Sequence, residues 1–237
     1  MDITGSVALV TGANRGLGAR IVAGLLERGA ARVYAAARTL TSLDDIVGER
    51  VVPLALDIDD DASVAAAARA ASDVTLLINN AGVLSLGGVL DLDPAEAERD
   101  LRTNYFGTLR ATRAFVPVIE GNGGGAIANV ITIVALAPMG VMAGYSASKA
   151  AQHSMTQALR VELRPRGIDV YGAYPAGIDT DMLAGLDVAK AKPEVVAGRI
   201  LDGIAKREAM IFPDDVSAGA GDVYLRDPRE LESMLTG

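Results

Sequence analysis

Short apolar runs alternate with longer stretches that carry apolar residues on one helical face, and this alternation persists along most of the chain. Residues 7–10 are an apolar run stopped by Thr11-Gly12 and read as a buried strand. In 16–28, Leu17, Ile21, Leu25 and Leu26 form a helical stripe that ends at Gly29. By the same criteria 32–37, 51–56, 74–78, 125–133, 168–174 and 209–212 are strands. Residues 60–71, 94–118, 145–163 and 193–206 are helices, with Asp93 as N-cap before Pro94. The glycine-rich 121–125 is a loop between a helix and a strand. After Phe212 an acidic tail carrying Leu225, Leu231 and Leu235 is expected to be helical. Strand–helix alternation without repeat or linker predicts an α/β fold: one domain over 1–237, with a parallel sheet covered on both faces.

Composition narrows the function more than the fold. Of 237 residues 50% are hydrophobic but only 4% aromatic, so Ala, Val, Leu and Ile must fill the core. A net charge of −8 argues against a nucleic-acid surface, which needs a basic stripe. The absence of cysteine excludes disulfides, thiolate metal sites and cysteine nucleophiles, and no metal is expected. No stretch approaches the roughly 20 apolar residues of a membrane span. The start, Met1-Asp2-Ile3-Thr4-Gly5, lacks the basic and apolar regions of a signal peptide. A cytoplasmic protein that binds neither nucleic acid nor membrane is the expectation.

Two stretches carry chemistry. The first, 11–18, reads T-G-A-N-R-G-L-G between the first strand and the first helix. Glycines at 12, 16 and 18 let backbone turn sharply and approach a ligand, and the helix N-terminus behind them offers N–H groups and a positive dipole to a pyrophosphate. Gly12, Asn14, Arg15, Gly16, Leu17 and Gly18 are therefore cofactor-binding candidates. Just after the second strand, where a carboxylate would hold a ribose 2′-hydroxyl, stands Arg38. With Arg15 it offers two guanidiniums to a 2′-phosphate, so NADP(H) is expected rather than NAD(H). The second stretch is Tyr145-Ser146-Ala147-Ser148-Lys149. Tyrosine and lysine four apart share a helix face, and a nearby ammonium is expected to pull the phenol down from its ordinary pKa of about 10. The pair reads as a tuned general acid/base.

T-G-x-x-x-G-x-G at 11–18, Asn79-Asn80-Ala81-Gly82 after the fourth strand, and Tyr145…Lys149 together resemble the short-chain dehydrogenase/reductase family. The match runs to about Met182, and 183–237 are then substrate-side helices, a last strand and an atypical tail. The resemblance implies a Rossmann-like, doubly wound, seven-stranded sheet and hydride transfer between a nicotinamide and a carbonyl/alcohol pair. It makes Tyr145 the proton donor or acceptor, and assigns Lys149 to lowering the tyrosine pKa and holding the nicotinamide ribose. Asn104 becomes the support of a water-linked relay. Thr132, thirteen residues before Tyr145, takes the place of a serine that bonds the substrate oxygen; its extra methyl narrows or re-aims the pocket. Asp57 and Ile58 are placed at the adenine, Asn80 along the adenosine ribose, and Ile178 and Thr180 at the carboxamide, with Ala176 where a glycine is usual. Homodimers or homotetramers through the long helices are implied; the divergent tail puts the tetramer in question.

Residues expected near the nicotinamide (Val83, Leu84, Val134, Met139, Val141, Met142, Ala176 and Met182) are apolar, which points to a neutral, fairly hydrophobic ketone or aldehyde. Two alternatives remain at this stage: reduction of a C=N bond on the same scaffold, and an NADP(H)-binding regulatory protein without turnover. His153, the sole histidine, has no partner at catalytic spacing and is read as structural.

Overall fold

A computed structural model describes residues 1–46 and 48–236. Seven strands, β1 (Val7–Thr11), β2 (Arg32–Ala37), β3 (Val51–Ala55), β4 (Leu76–Asn79), β5 (Gly125–Val130), β6 (Ile168–Ala173) and β7 (Met210–Ile211), form one sheet. Its order is β3-β2-β1-β4-β5-β6-β7 and every pairing is parallel. The chain winds outward from β1 in one direction and from β4 in the other. The crevice at the carboxyl ends of those two strands is thus the switch point, where such sheets bind ligands.

Among the described residues six α-helices lie between strands, α1 (Gly16–Glu27), α2 (Asp61–Ala70), α3 (Pro94–Asp100), α4 (Thr108–Gly121), α5 (Ala143–Leu163) and α6 (Pro193–Lys206), and two, α7 (Asp215–Arg226) and α8 (Pro228–Thr236), follow β7. Alternate residues of β1 point to opposite faces. Ala8 and Val10 pack with Ile21 and Leu25 of α1 and with Ile200 and Ile204 of α6, whereas Leu9 packs with Phe115 and Ile119 of α4 and Val64 of α2. A third apolar cluster joins Ile131, Val134, Met142 and Tyr145 to Ala220 of α7 and Leu231 of α8, so the tail packs against the segment after β5 and the start of α5. Phe115 is fully buried. Phe115→Ala is expected to lower unfolding free energy by about 3–5 kcal/mol, read from denaturant melts. Among the described residues no helix is long and apolar enough to cross a membrane.

Most elements fall within two residues of the sequence reading, and two depart further. The helix expected over 94–118 is interrupted by a π-helical segment, Leu101–Gly107, before α4 resumes and runs to Gly121. Such wide turns, with i→i+5 hydrogen bonds, are rare and frequently sit at functional sites. β5 stops at Val130, not at Ile133, because Thr132 caps a short 3₁₀ turn, Ile133–Ala135, its Oγ1 accepting from the Val134 N–H at 3.4 Å. Asp93 caps α3 as expected, accepting from the Ala95 N–H at 2.9 Å.

Candidate active site

β1 and β4 end side by side, and their hydroxyl and amide side chains lock the turn between β1 and α1. Thr11 Oγ1 accepts from the N–H groups of Asn80 and Ala81, each at 3.0 Å. Asn80 Nδ2 donates to the carbonyls of Thr11 (2.9 Å) and Gly12 (3.1 Å). Asn80, expected along a ribose, lines the cavity and also braces the loop. Gly12 and Gly16 adopt left-handed φ of +64° and +53°, which side chains resist. A Cβ on Gly18 would collide with the Gly12 carbonyl oxygen. Arg15 gives α1 no side-chain cap and no acidic residue stands in its first turn, which leaves the N-terminus open to an anion.

The loop forms one wall of a cavity of about 450 Å³ that also takes in Arg38, Asp57, Ile58, Thr132, Tyr145, Lys149, Ile178 and Thr180. Of the candidates named from sequence, only Asn104 and Val141 are off this wall. Val141 is exposed instead. Asn104 lies fully buried behind it: Oδ1 accepts from Val83 N–H, and Nδ2 donates to Val83 O and Ser148 Oγ, all at 2.9 Å. The amide thereby ties the segment after β4 to α5. Arg15 forms a 2.6 Å ion pair with Asp181 across the cavity mouth, both side chains well exposed. Arg38 makes no ion pair among the described residues and stays available.

Tyr145 and Lys149 lie one turn apart on α5, with Nζ 5.9 Å from the phenol ring centroid. Lys149 donates to Val130 O at 2.9 Å and to Gln152 Oε1 at 2.8 Å. Burial of this pair decides its electrostatics. It pushes Lys149 down to about 7, against the charge of Asp100, which acts upward. It pushes Tyr145 well above the ordinary phenol value, with Asp100 adding to the rise. The phenol pKa therefore lies above its ordinary value and not below it as expected from the neighbouring ammonium, because burial takes the hydroxyl out of water.

The loop after β6, expected from sequence at the nicotinamide carboxamide, is anchored from the tail. Asp214 is buried; one carboxylate oxygen accepts from Ala176 N–H at 2.9 Å and the other from Ser217 N–H at 2.8 Å, where it caps α7. Ile178 bridges to Ala191, closing residues 180–190 into a flap that presents Met182, Leu183 and Val188 to the cavity. His153 is outside the cavity, its Nδ1 2.7 Å from the Tyr174 hydroxyl. Sequence reasoning missed Gln152 and Asp214. Gln152 stands at the i+3 position from Lys149, a visible spacing, whereas nothing local marks the contact of Asp214 with a residue 38 positions away.

A doubly wound parallel sheet with a glycine-rich loop at its switch point is a dinucleotide-binding fold. The short chain dehydrogenase family model matches residues 6–191, and the chain belongs to that family of oxidoreductases. It is 29% identical to a 3-oxoacyl-[acyl-carrier-protein] reductase, FabG, of Vibrio harveyi, over 90% of this chain and 91% of the relative. It is 31% identical to a 3-alpha-(or 20-beta)-hydroxysteroid dehydrogenase of Mycobacterium bovis, over 76% and 72%. A short chain dehydrogenase from Burkholderia cenocepacia, crystallised in complex with NADP, superposes with a TM-score of 0.94 at 40% identity, covering all of both chains.

Proposed function

We propose that the protein is an NADPH-dependent reductase of neutral, fairly hydrophobic ketones or aldehydes, and oxidises the alcohols in reverse. The observation that carries this reading is that Tyr145, Lys149 and Thr132 face the same cavity as the glycine loop. The residues fit the cofactor. Gly12, Gly16 and Gly18 let the loop turn tightly against Ala81, Asn80 and Thr180, which sets its backbone at an uncapped helix end where a pyrophosphate would sit. Arg38, exposed at the end of β2, suits a 2′-phosphate, while Arg15 spends its charge on Asp181. When bound, the nicotinamide supplies the hydride.

The chain's own residues do the rest. Tyr145 gives the carbonyl oxygen its proton, a transfer general acids accelerate typically 10²–10⁴-fold. Its high pKa keeps the phenol protonated until oxyanion charge develops. Lys149, charged, stabilises the phenolate that the transfer leaves behind. Thr132 donates a hydrogen bond to the same substrate oxygen. Asn104 acts from behind, holding Val83 and the first turns of α5 in register. Apolar side chains at the substrate end, including Leu84, Val134, Met139 and Met142, together with the flap, exclude water and favour an uncharged substrate.

A panel of neutral ketones, aldehydes and cyclic imines followed by NADPH absorbance tests the reading; turnover confined to imines sinks the carbonyl assignment. For the cofactor, Arg38→Asp should raise KM for NADPH roughly 10- to 100-fold, the effect of losing a charged hydrogen bond, and favour NADH. Equal kcat/KM with both cofactors in the parent protein would count against Arg38 as the selector.

A further inference from the structure

We propose that Gln152 is a positioning residue for the reaction, its amide oxygen holding the Lys149 ammonium charged and directed toward Tyr145. This rests on the proposed roles of Tyr145 and Lys149. Gln152 follows Lys149 by three positions on α5, on the same face, and both are buried, at 1% and 4% exposure. An ammonium has three donors. Val130 O and Gln152 Oε1 take two of them, at 2.9 and 2.8 Å, so one is left for the cavity.

The orientation of the amide is fixed from its far end. Nε2 donates to Thr108 Oγ1 of α4 at 3.2 Å; turned over, the amide would set donor against ammonium. The helix turn at Gln152 is itself rooted in the core. Its backbone carbonyl accepts from Thr156 Oγ1 (2.7 Å), which in turn accepts from Asn129 Nδ2 of β5 (2.9 Å). A buried carboxamide is costly unless satisfied, and this one is satisfied at both ends. Its neutrality matters. A carboxylate in the same place would pair with Lys149 and offset its charge; an amide gives the charge a partner without cancelling it. The other ionisable groups acting on Lys149 are Asp100 of α3 and, on its own helix, Tyr145.

The experiment uses the full chain with NADPH and a ketone that it reduces, comparing the parent with Gln152→Met, Gln152→Glu and Tyr145→Phe. Melting temperature and NADPH affinity are measured alongside. The alkaline limb of kcat/KM for NADPH reports groups of the free enzyme; burial lowers Lys149 toward neutrality, so Lys149 is expected to set that limb in the parent. Gln152→Met removes an acceptor from the charged form, so the limb should move down by about one pH unit and kcat fall about tenfold. Gln152→Glu should move the limb up, while kcat also falls because the new carboxylate offsets the ammonium. Opposite movements are not what a packing defect produces. Limbs that stay put, or that move the same way in both variants, overturn the inference; if Gln152→Met does not fold, the direction in Gln152→Glu decides. Parent-like turnover in Tyr145→Phe overturns the underlying reading and this inference with it. A dead Tyr145→Phe alongside unmoved limbs overturns this inference alone.

Discussion

Tyr145→Phe should slow carbonyl reduction by about 10³-fold, within the range that general acids contribute, and leave NADPH affinity close to that of the parent. The ring is buried and keeps its shape in the variant. Among the described residues the hydroxyl makes no hydrogen bond to the chain, so its removal strands no partner and folding stability is expected to hold. What is lost is the one protic group on α5 that faces the cavity beside Lys149 without being committed elsewhere. Single-turnover decay of NADPH absorbance gives the rate, and a fluorescence titration gives the affinity. If the variant reduces ketones as fast as the parent, the proton comes from another source and the assigned roles of Tyr145 and Lys149 both fall.

Gly18→Ala should have the opposite signature, destroying cofactor affinity while leaving the Tyr145 side intact. The added methyl would overlap the Gly12 carbonyl oxygen and stand 2.7 Å from Asn80 Nδ2. Those are the two atoms of the brace that holds the loop to β4, so no flexible side chain can yield to relieve the clash. The backbone has to move, and a misplacement of about 1 Å in a positioning element costs about 10²-fold. NADPH affinity should therefore drop by at least about that factor, measured by fluorescence or calorimetric titration. Gly121→Ala is the matched control: a Cβ there meets nothing within 4 Å, and affinity should be unchanged. Full affinity in Gly18→Ala would mean that the loop is not the pyrophosphate seat.

Most of this architecture was legible because the relevant signals are local. Apolar runs such as 7–10 and the stripe Leu17, Ile21, Leu25 report burial directly, and the glycine loop and the Tyr145–Lys149 spacing each lie within eight residues. The break at Leu101–Gly107 was not legible, because a π turn changes hydrogen-bond partners without changing which residues are apolar. The end of β5 differs for a related reason: Ile131 and Ile133 are as apolar as the strand before them, and the turn is made by hydrogen bonds such as Val134 N–H to Thr132 Oγ1 and Ala135 N–H to Thr132 O. Asn80 was recognised as part of a motif, but its donors point to Thr11 and Gly12, contacts about 70 residues away in sequence. The direction of the Tyr145 shift depended on how deeply both partners are buried, and spacing along one helix carries no information about depth.

The carboxylate of Asp214 and the bridge between Ile178 and Ala191 have a mechanical consequence. Ala176 is clamped to the first turn of α7, and both ends of residues 180–190 are stitched together at their root. Met182, Leu183 and Val188, which line the cavity, therefore stand on a strip pinned at both ends of its root, while the segment before it is held separately through Ala176.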